Sequence, residues 1–288
     1  MKKSNAIRKT SLATVAITVI AALGFAGAAA AGTAMGRSHT EDSAIVAANN
    51  EVGIAITGNL TNYQESVTPG PADTESGWQP GFAVKGSYMG NVYGIHNVYA
   101  AVHYANSFGN IGYYGAVGRT PYNGTDSATF NRVMGRVGMG IRITCPHEMM
   151  ITPYVAGGYQ GWNRNLQGPF GYKESYSAGL VGAGALFQYA VTPSFVVSGD
   201  TEVLAVVGGG MTPHIFNGKL GSASFGTSAE EKMTLGVDYR ITGPLHMYSD
   251  VSLTHFTYTG GQLALPGAYE PSSATNQLGM SLGLAYQF

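Results

Sequence analysis

The chain has 288 residues, and its 15 basic and 16 acidic residues give a formal net charge of −1. Charged residues make up only 11% of the sequence, against about 25% in soluble domains, which disfavours an ordinary soluble domain. A near-neutral chain also lacks the basic surface that nucleic acids need, so we expect no nucleic-acid partner. The single cysteine, Cys145, excludes an intramolecular disulfide.

The N-terminus has the pattern of a secretory signal peptide. A basic segment over 2–9 precedes an apolar run over 12–25, and Ala29 and Ala31 form a small-x-small cleavage site. The alternative is a retained transmembrane helix, since residues 13–31 are nearly long enough to span a bilayer. Because small residues end the apolar run, we predict cleavage close to Ala31.

After a predicted short periplasmic leader over 32–50, large apolar residues alternate with small or polar ones. This alternation predicts ten strands, at 51–63, 78–90, 92–106, 130–144, 149–163, 174–190, 194–207, 231–242, 245–259 and 276–288. Period-two alternation is typical of strands with lipid on one face and a polar lumen on the other. We therefore predict an all-β fold over 51–288, a transmembrane antiparallel up-and-down β-barrel. Eight strands is the alternative if 92–106 or 174–190 is misassigned.

The predicted connections alternate in length. Short turns are expected at Gly90-Asn91, 145–148, 191–193 and Gly243-Pro244, and long polar loops at 64–77, 107–129, 164–173, 208–230 and 260–275. Long extracellular loops and short periplasmic turns are sorted in this way in outer-membrane barrels, with both termini on the periplasmic side.

Charged residues within the predicted strands fall on the lumen face, opposite the apolar register. They are Lys85, Arg132, Arg136, Arg142, Asp200, Glu202, Lys232, Asp238, Arg240 and Asp250. A charge at the midplane of the lipid face costs about 2–4 kcal/mol, which supports these registers. Because both signs are present, we predict an ion-pair network that plugs a narrow barrel. An ion pathway or a catalytic cluster is the alternative.

Three Tyr/Glu pairs lie at the predicted outer ends of strands, with Trp162 and Arg164 at the same level. The pairs are Tyr63 with Glu65, Tyr172 with Glu174, and Tyr269 with Glu270. One interpretation is an interfacial aromatic girdle whose carboxylates pair with arginine. The other is a site at the mouth of the barrel that binds a sugar, a cation or another surface ligand.

The signal peptide, the alternation, the turn pattern and the C-terminal strand ending in Phe288 together resemble the small outer-membrane β-barrel proteins of the OmpA-like and opacity-protein type. The resemblance covers about 51–288 and includes the stretches 77–82 and 153–159. It implies the outer membrane of a Gram-negative bacterium, reached by signal-peptide-directed export, and contacts with outer-membrane lipid and lipopolysaccharide. Tyr286 and Phe288 then form the signal for the barrel-assembly machinery, with periplasmic chaperones as further partners. The peptidoglycan-binding domain of that family is expected to be absent.

Motifs of soluble enzymes, metals and cofactors are not recognisable. His147-Glu148 lacks a second histidine at helical spacing, and Gly182-Ala183-Gly184 lacks the third glycine of a dinucleotide loop. We therefore expect no cofactor and no metal.

Two classes of barrel-borne enzyme remain as alternatives. Omptin-type proteases carry an Asp/His cluster at the mouth, whereas His246 and the inward aspartates of this chain lie at mid-strand or lower. Lipid A deacylases are faintly resembled by His255-Phe256-Thr257 with Glu270, but threonine replaces the nucleophilic serine. We expect a non-enzymatic barrel with a charge-plugged lumen, acting structurally or through its loops on an unknown extracellular ligand. A narrow channel for ions or small solutes is the second expectation.

Overall fold

The computed structural model describes residues 43–66, 73–117, 120–143, 147–215 and 219–288. The predicted signal peptide and its cleavage site lie outside the described residues. The elements, in chain order, are α1 (Ala44–Ala48), β1 (Glu51–Ser66), β2 (Thr74–Val92), β3 (Ile95–Val117), β4 (Thr120–Met139), β5 (Ile141–Ile143), β6 (Met149–Asn165), β7 (Lys173–Thr192), β8 (Phe195–Pro213), β9 (Ala223–Ser224), β10 (Ala229–Thr242), β11 (Leu245–Tyr258), β12 (Gly261–Gln262), β13 (Tyr269–Glu270) and β14 (Ser272–Gln287). In these ranges no helix has the length and apolarity needed to span a bilayer.

Ten antiparallel strands close into a barrel, in the order β1, β2, β3, β4, β6, β7, β8, β10, β11 and β14. The short strand β5 continues β4 and is counted with it as one barrel strand, since both pair with β6. The β10 strand pairs with both β8 and β11, and β14 pairs with both β11 and β1, so the path returns to its start. The predicted all-β fold with ten barrel strands is confirmed, and the eight-strand alternative is wrong.

An apolar belt surrounds the outside of the barrel. Its two edges are rows of paired residues: Val52 with Tyr286 at one edge, and Leu60 with Leu278 at the other. The eight-residue rise between them is about 27 Å along the strand, or about 21 Å at a tilt of about 40°. Exposed members of the belt include Ile54, Ile56, Val137, Met139, Val155, Val203, Met233, Leu235, Val251, Leu253, Met280, Leu282 and Leu284.

The barrel has two different ends. The end that carries Glu51, Phe288 and the short turns is called the turn end, and the opposite end, with the longer connections, is called the loop end. The first turn lies at Tyr93 and Gly94, whose φ angles of 49° and 84° suit a type I′ hairpin. The predicted turn at Gly90-Asn91 therefore lies three residues too early in the chain.

The prediction of a long loop over 107–129 was also wrong, because most of this stretch belongs to β3 and β4. Pairing between β3 and β4 continues without a break from Val98 opposite Met139 to Val117 opposite Thr120. These strands therefore extend past the belt as a long hairpin at the loop end. Polar and glycine residues in this stretch suggested a loop because no lipid faces the strands there.

Residues 43–50 fold inside the barrel at the turn end. Ser43 caps α1 by accepting a hydrogen bond from the Val46 backbone, and Ile45 is fully buried. The Asn49 side-chain amide donates to Gln188 Oε1 at 2.7 Å and to the Ile45 carbonyl at 2.8 Å. The sequence predicted only a short periplasmic leader over 32–50, whereas 43–50 pack against the inner wall of the barrel. This packing obstructs the turn end of the lumen.

Candidate functional site

Charged side chains fill the lumen at three levels. The loop-end layer surrounds Arg164, the middle layer contains Arg132 and Arg136, and the turn-end layer contains Glu51 and His246.

In the middle layer, two arginines of β4 contact carboxylates of β8 and β10. Arg136 Nη1 lies 2.7 Å from Asp200 Oδ2, and its Nη2 lies 2.8 Å from Glu202 Oε2. Arg132 contacts Glu202 at 3.1 Å and also pairs with Glu230. Two guanidinium groups and three carboxylates therefore join opposite walls of the barrel in one network.

The other predicted members of the lumen network lie elsewhere. Their observed partners are Glu51 for Lys85, Glu148 for Arg142, His246 for Asp238 and the Ser281 hydroxyl for Asp250. Within the described ranges, Lys232 and Arg240 form no ion pair. Of the predicted arginines, Arg132 and Arg136 pair with predicted acids, whereas Arg142 pairs with Glu148, which was outside the predicted set. Arg142 is 39% exposed at the turn end, away from the predicted acids.

The loop-end layer is organised by the buried guanidinium of Arg164 on β6. Its polar contacts are Glu174 at 2.7 Å, Glu75 at 2.9 Å through Nε, Tyr176 at 3.0 Å, Tyr63 at 3.2 Å, Glu65 at 3.6 Å and Asp126 at 4.0 Å. Glu270 joins the layer by accepting a hydrogen bond from the Tyr176 hydroxyl at 3.0 Å. One arginine is thus surrounded by five carboxyl groups.

This layer lies beyond the apolar belt, and its carboxyl groups are strongly perturbed. Burial raises the pKa of Glu65 to about 7, with the Arg164 charge opposing the shift. Burial also raises the pKa of Glu75 to about 7 and, together with neighbouring carboxylates, that of Glu270 to about 8. Several of these groups therefore carry a proton near neutral pH, which offsets the excess of acids over arginine.

The aromatic residues predicted at the rim mostly face the lumen. Trp162 is 2% exposed and meets the ring of Tyr63 edge-on at 5.1 Å. The Arg164 guanidinium lies over the Tyr63 ring at 4.3 Å. These two aromatics therefore cap the lumen and do not form the interfacial girdle. Tyr172 lies beside Glu174 and Tyr113, whereas Tyr269 is exposed.

In the turn-end layer, side chains of four strands converge. His246 Nδ1 lies 2.6 Å from Asp238 Oδ1 and 3.9 Å from Glu51 Oε2. Lys85 Nζ contacts Glu51 Oε1 at 2.5 Å and lies 3.5 Å from the centroid of the Tyr248 ring. Glu51 and His246 are almost completely buried.

A cavity of about 220 Å³ lies between the middle and turn-end layers. Its walls include Lys85, Tyr99, His103, Asp200, Lys232 and Asp238.

Four functional carboxylates were missed by sequence reasoning. Glu75 and Asp126 fell in stretches assigned to loops, and Glu230 preceded the start of the eighth predicted strand, 231–242, by one residue. Glu51 was inside a predicted strand. Continuing the period-two register through Gly53 and Ala55 would have placed Glu51 in the lumen.

The fold is similar to that of known outer-membrane proteins at low sequence identity. The outer-membrane protease OmpT from Escherichia coli is 8% identical, with a TM-score of 0.50 over 83% of this chain and 97% of that chain. The transport unit of the autotransporter AIDA-I from Escherichia coli is 11% identical, with a TM-score of 0.47 over 89% of this chain and 94% of that chain. Ail, the attachment invasion locus protein of Yersinia pestis, is 14% identical, with a TM-score of 0.32 over 82% of this chain and 99% of that chain. No family model and no curated protein matches the sequence.

Proposed function

We propose that this protein is an integral β-barrel of the Gram-negative outer membrane with a closed lumen, of the small OmpA-like and opacity-protein kind. Its loop end faces the cell exterior and provides a structural or surface-interaction role. The apolar belt supports membrane insertion, since its height of about 21 Å is close to that of the apolar band of outer-membrane barrels, which is about 25 Å tall. The likeness to OmpT supports the fold alone.

The observation that carries the closed-lumen proposal is the ion pairing across the middle layer. Arg136 on β4 bonds to Asp200 on β8, so a rigid cross-link passes through the space that a channel would need. The loop-end layer above and α1 below add two further obstructions. Barrels of about eight strands are just wide enough to be filled by side chains, and ten strands remain far from the about sixteen of open porins.

We also propose that the protein is not an enzyme. The described side chains that make polar contacts with Arg164 at the loop end are carboxylates and tyrosines, without a histidine. His255, the candidate residue of a deacylase-like site, is exposed and bonds to Asn276 at 2.9 Å. These contacts favour a binding or structural role over the general-base arrangement that hydrolysis requires.

Membrane insertion and orientation can be tested with single cysteines in a Cys145→Ser background. Asn123 at the loop end and Ser194 at the turn end are both exposed. We expect a membrane-impermeant maleimide to label Asn123→Cys in intact cells and Ser194→Cys only after lysis. Labelling in the opposite order would invert the orientation, and recovery of the protein outside the outer-membrane fraction would contradict the proposed location.

A further inference from the structure

We propose that Glu51, Asp238 and His246 form a binding site for a divalent transition-metal ion of the Zn²⁺ type, at the turn end of the lumen. Two carboxylates and one imidazole are a ligand set that Zn²⁺ uses in proteins. The three residues come from β1, β10 and β11, and their ligand atoms all lie within 4.8 Å of one another.

The spacing of these atoms suits a common ion. Two ligands bound to one tetrahedral Zn²⁺ at about 2.0–2.1 Å lie about 3.3 Å apart. The His246 Nδ1 atom is 2.6 Å from Asp238 Oδ1 and 3.9 Å from Glu51 Oε2, on either side of that value. The third pair of ligand atoms, on Glu51 and Asp238, also lies within 4.8 Å, so side-chain movements alone would complete the three-ligand arrangement.

Three polar atoms of the site lack a hydrogen-bond partner among the described residues. Glu51 Oε2, Asp238 Oδ2 and His246 Nε2 are buried without a hydrogen bond, whereas Glu51 Oε1 lies 2.5 Å from Lys85 Nζ. Leaving a buried carboxylate oxygen unsatisfied is costly, because the oxygen has lost its hydration without gaining a partner. Coordination of a cation by Glu51 Oε2 and an Asp238 oxygen would remove that cost.

The surroundings of the site provide an open position and an outer shell. Asp238 lines the cavity of about 220 Å³, which offers room for a water molecule as fourth ligand. Lys85 holds the other oxygen of Glu51 and rests on the Tyr248 ring, so the carboxylate is oriented from behind. A Cβ at position 283 would lie 2.6 Å from Tyr248 Cζ, so Gly283 provides the space for this ring.

Without a metal, the same residues form one ion pair, Lys85 with Glu51, and one hydrogen bond, between His246 Nδ1 and Asp238 Oδ1. Metal binding would replace the proton shared by His246 Nδ1 and Asp238 Oδ1, and this proton would leave to solvent. These metal-free contacts are therefore the competing state. The experiment has to distinguish a site whose side chains only contact one another from a site that binds a metal ion.

The test uses the tag-free protein, folded in detergent, treated with a chelator and then dialysed against Zn²⁺. We expect one bound ion per chain by elemental analysis and a rise in the unfolding temperature with Zn²⁺ concentration. Glu51→Gln and His246→Ala should each weaken binding by more than the about 10- to 100-fold typical of losing an outer-shell partner.

Two control variants keep the test specific. Asp250→Asn alters a carboxylate of the same cavity, and His255→Ala removes an exposed histidine of the same strand. Both should bind Zn²⁺ as the wild type does. If His246→Ala does not fold, Glu51→Gln and Asp238→Asn provide the comparison. No Zn²⁺ binding by the folded wild type, or binding unchanged in the ligand variants, would overturn the proposal.

Discussion

Arg136 on β4 and Asp200 on β8 meet inside the barrel at 2.7 Å, although β6 and β7 separate their strands along the wall. A contact between strands that are not neighbours must cross the lumen. Glu202 binds the same guanidinium at 2.8 Å, so the cross-link has two anchors on β8. The barrel is therefore held from within as well as by its backbone ladder.

Replacing Arg136 with alanine should lower stability. The change leaves Asp200 with an uncompensated charge, which costs about 3–5 kcal/mol at a fully buried site. Because the Arg136 side chain is 19% exposed and borders a cavity, we expect a loss at or below the lower end of that range. The unfolding midpoint in urea measures it.

Arg142→Ala is the matched control, since it removes an arginine of β5, which continues the strand β4 that carries Arg136. Its only described ion pair, with Glu148, is 4.0 Å long and 39% exposed on the arginine side. We expect a change within about 1 kcal/mol. Equal destabilisation by the two variants would mean that the contact across the lumen has no special role.

The loop-end layer should make stability depend on pH. Folding raises the pKa of Glu65 and Glu75 to about 7 and that of Glu270 to about 8. The folded state therefore binds more protons than the unfolded state between pH of about 4.5 and 8, and stability falls as the pH rises through this window.

Unfolding midpoints measured from pH 5 to pH 9 test this dependence. Glu270→Gln should reduce the fall, because the amide stays neutral at every pH. Glu231→Gln, at an exposed carboxylate on β10, should leave the fall unchanged. A wild-type midpoint that is constant or rises over the window would contradict the assignment of buried, proton-binding carboxyl groups.

The C-terminal aromatic should govern assembly. Phe288 is half exposed on the outer face, and its backbone nitrogen donates to the Asn50 carbonyl at 3.1 Å. Phe288→Ala keeps this hydrogen bond but removes the aromatic ring that the barrel-assembly machinery is expected to recognise. We expect much less heat-modifiable protein in outer membranes.

Phe187→Ala is the control for loss of a lipid-facing ring, since Phe187 is also exposed on the barrel wall. It should assemble normally. Unchanged assembly of Phe288→Ala would argue against a recognition role for the terminal residue.

Maturation gives a separate prediction. The basic segment, apolar run and Ala29-x-Ala31 pattern lead us to expect that the mature chain begins near Gly32. N-terminal sequencing of protein from outer membranes should find this start. An intact Met1 in the inner membrane would instead indicate a retained helix.

Sequence predicted the barrel well where lipid imposes a pattern. Inside the belt, residues such as Ile54 and Leu282 must be apolar, so their alternation indicates both the strand and its register. Beyond the belt the outward positions become polar, as at Asn62 and Gln64, and the apolar signal ends although the strand continues. For this reason Glu75 was assigned to a loop.

The pairing within the lumen was less predictable. Which carboxylate meets Arg136 or Arg142 depends on strand tilt and stagger, because these set the height at which side chains face each other across the barrel. A single sequence shows that both signs point inward but carries no measure of that stagger. The convergence of Glu51, Asp238 and His246 was missed for the same reason, since 187 positions separate Glu51 from Asp238 in the chain.

Conductance of the purified barrel in a planar bilayer tests the closed lumen most directly. With the Arg136–Asp200 cross-link, the Arg164 layer and α1 in place, the wild type should show no steady current steps. Arg136→Ala should lower stability without creating an ion-selective pore, because the other two layers remain. A reproducible wild-type conductance whose ion selectivity changes in Arg136→Ala, with stability unchanged, would contradict the closed barrel and establish a channel.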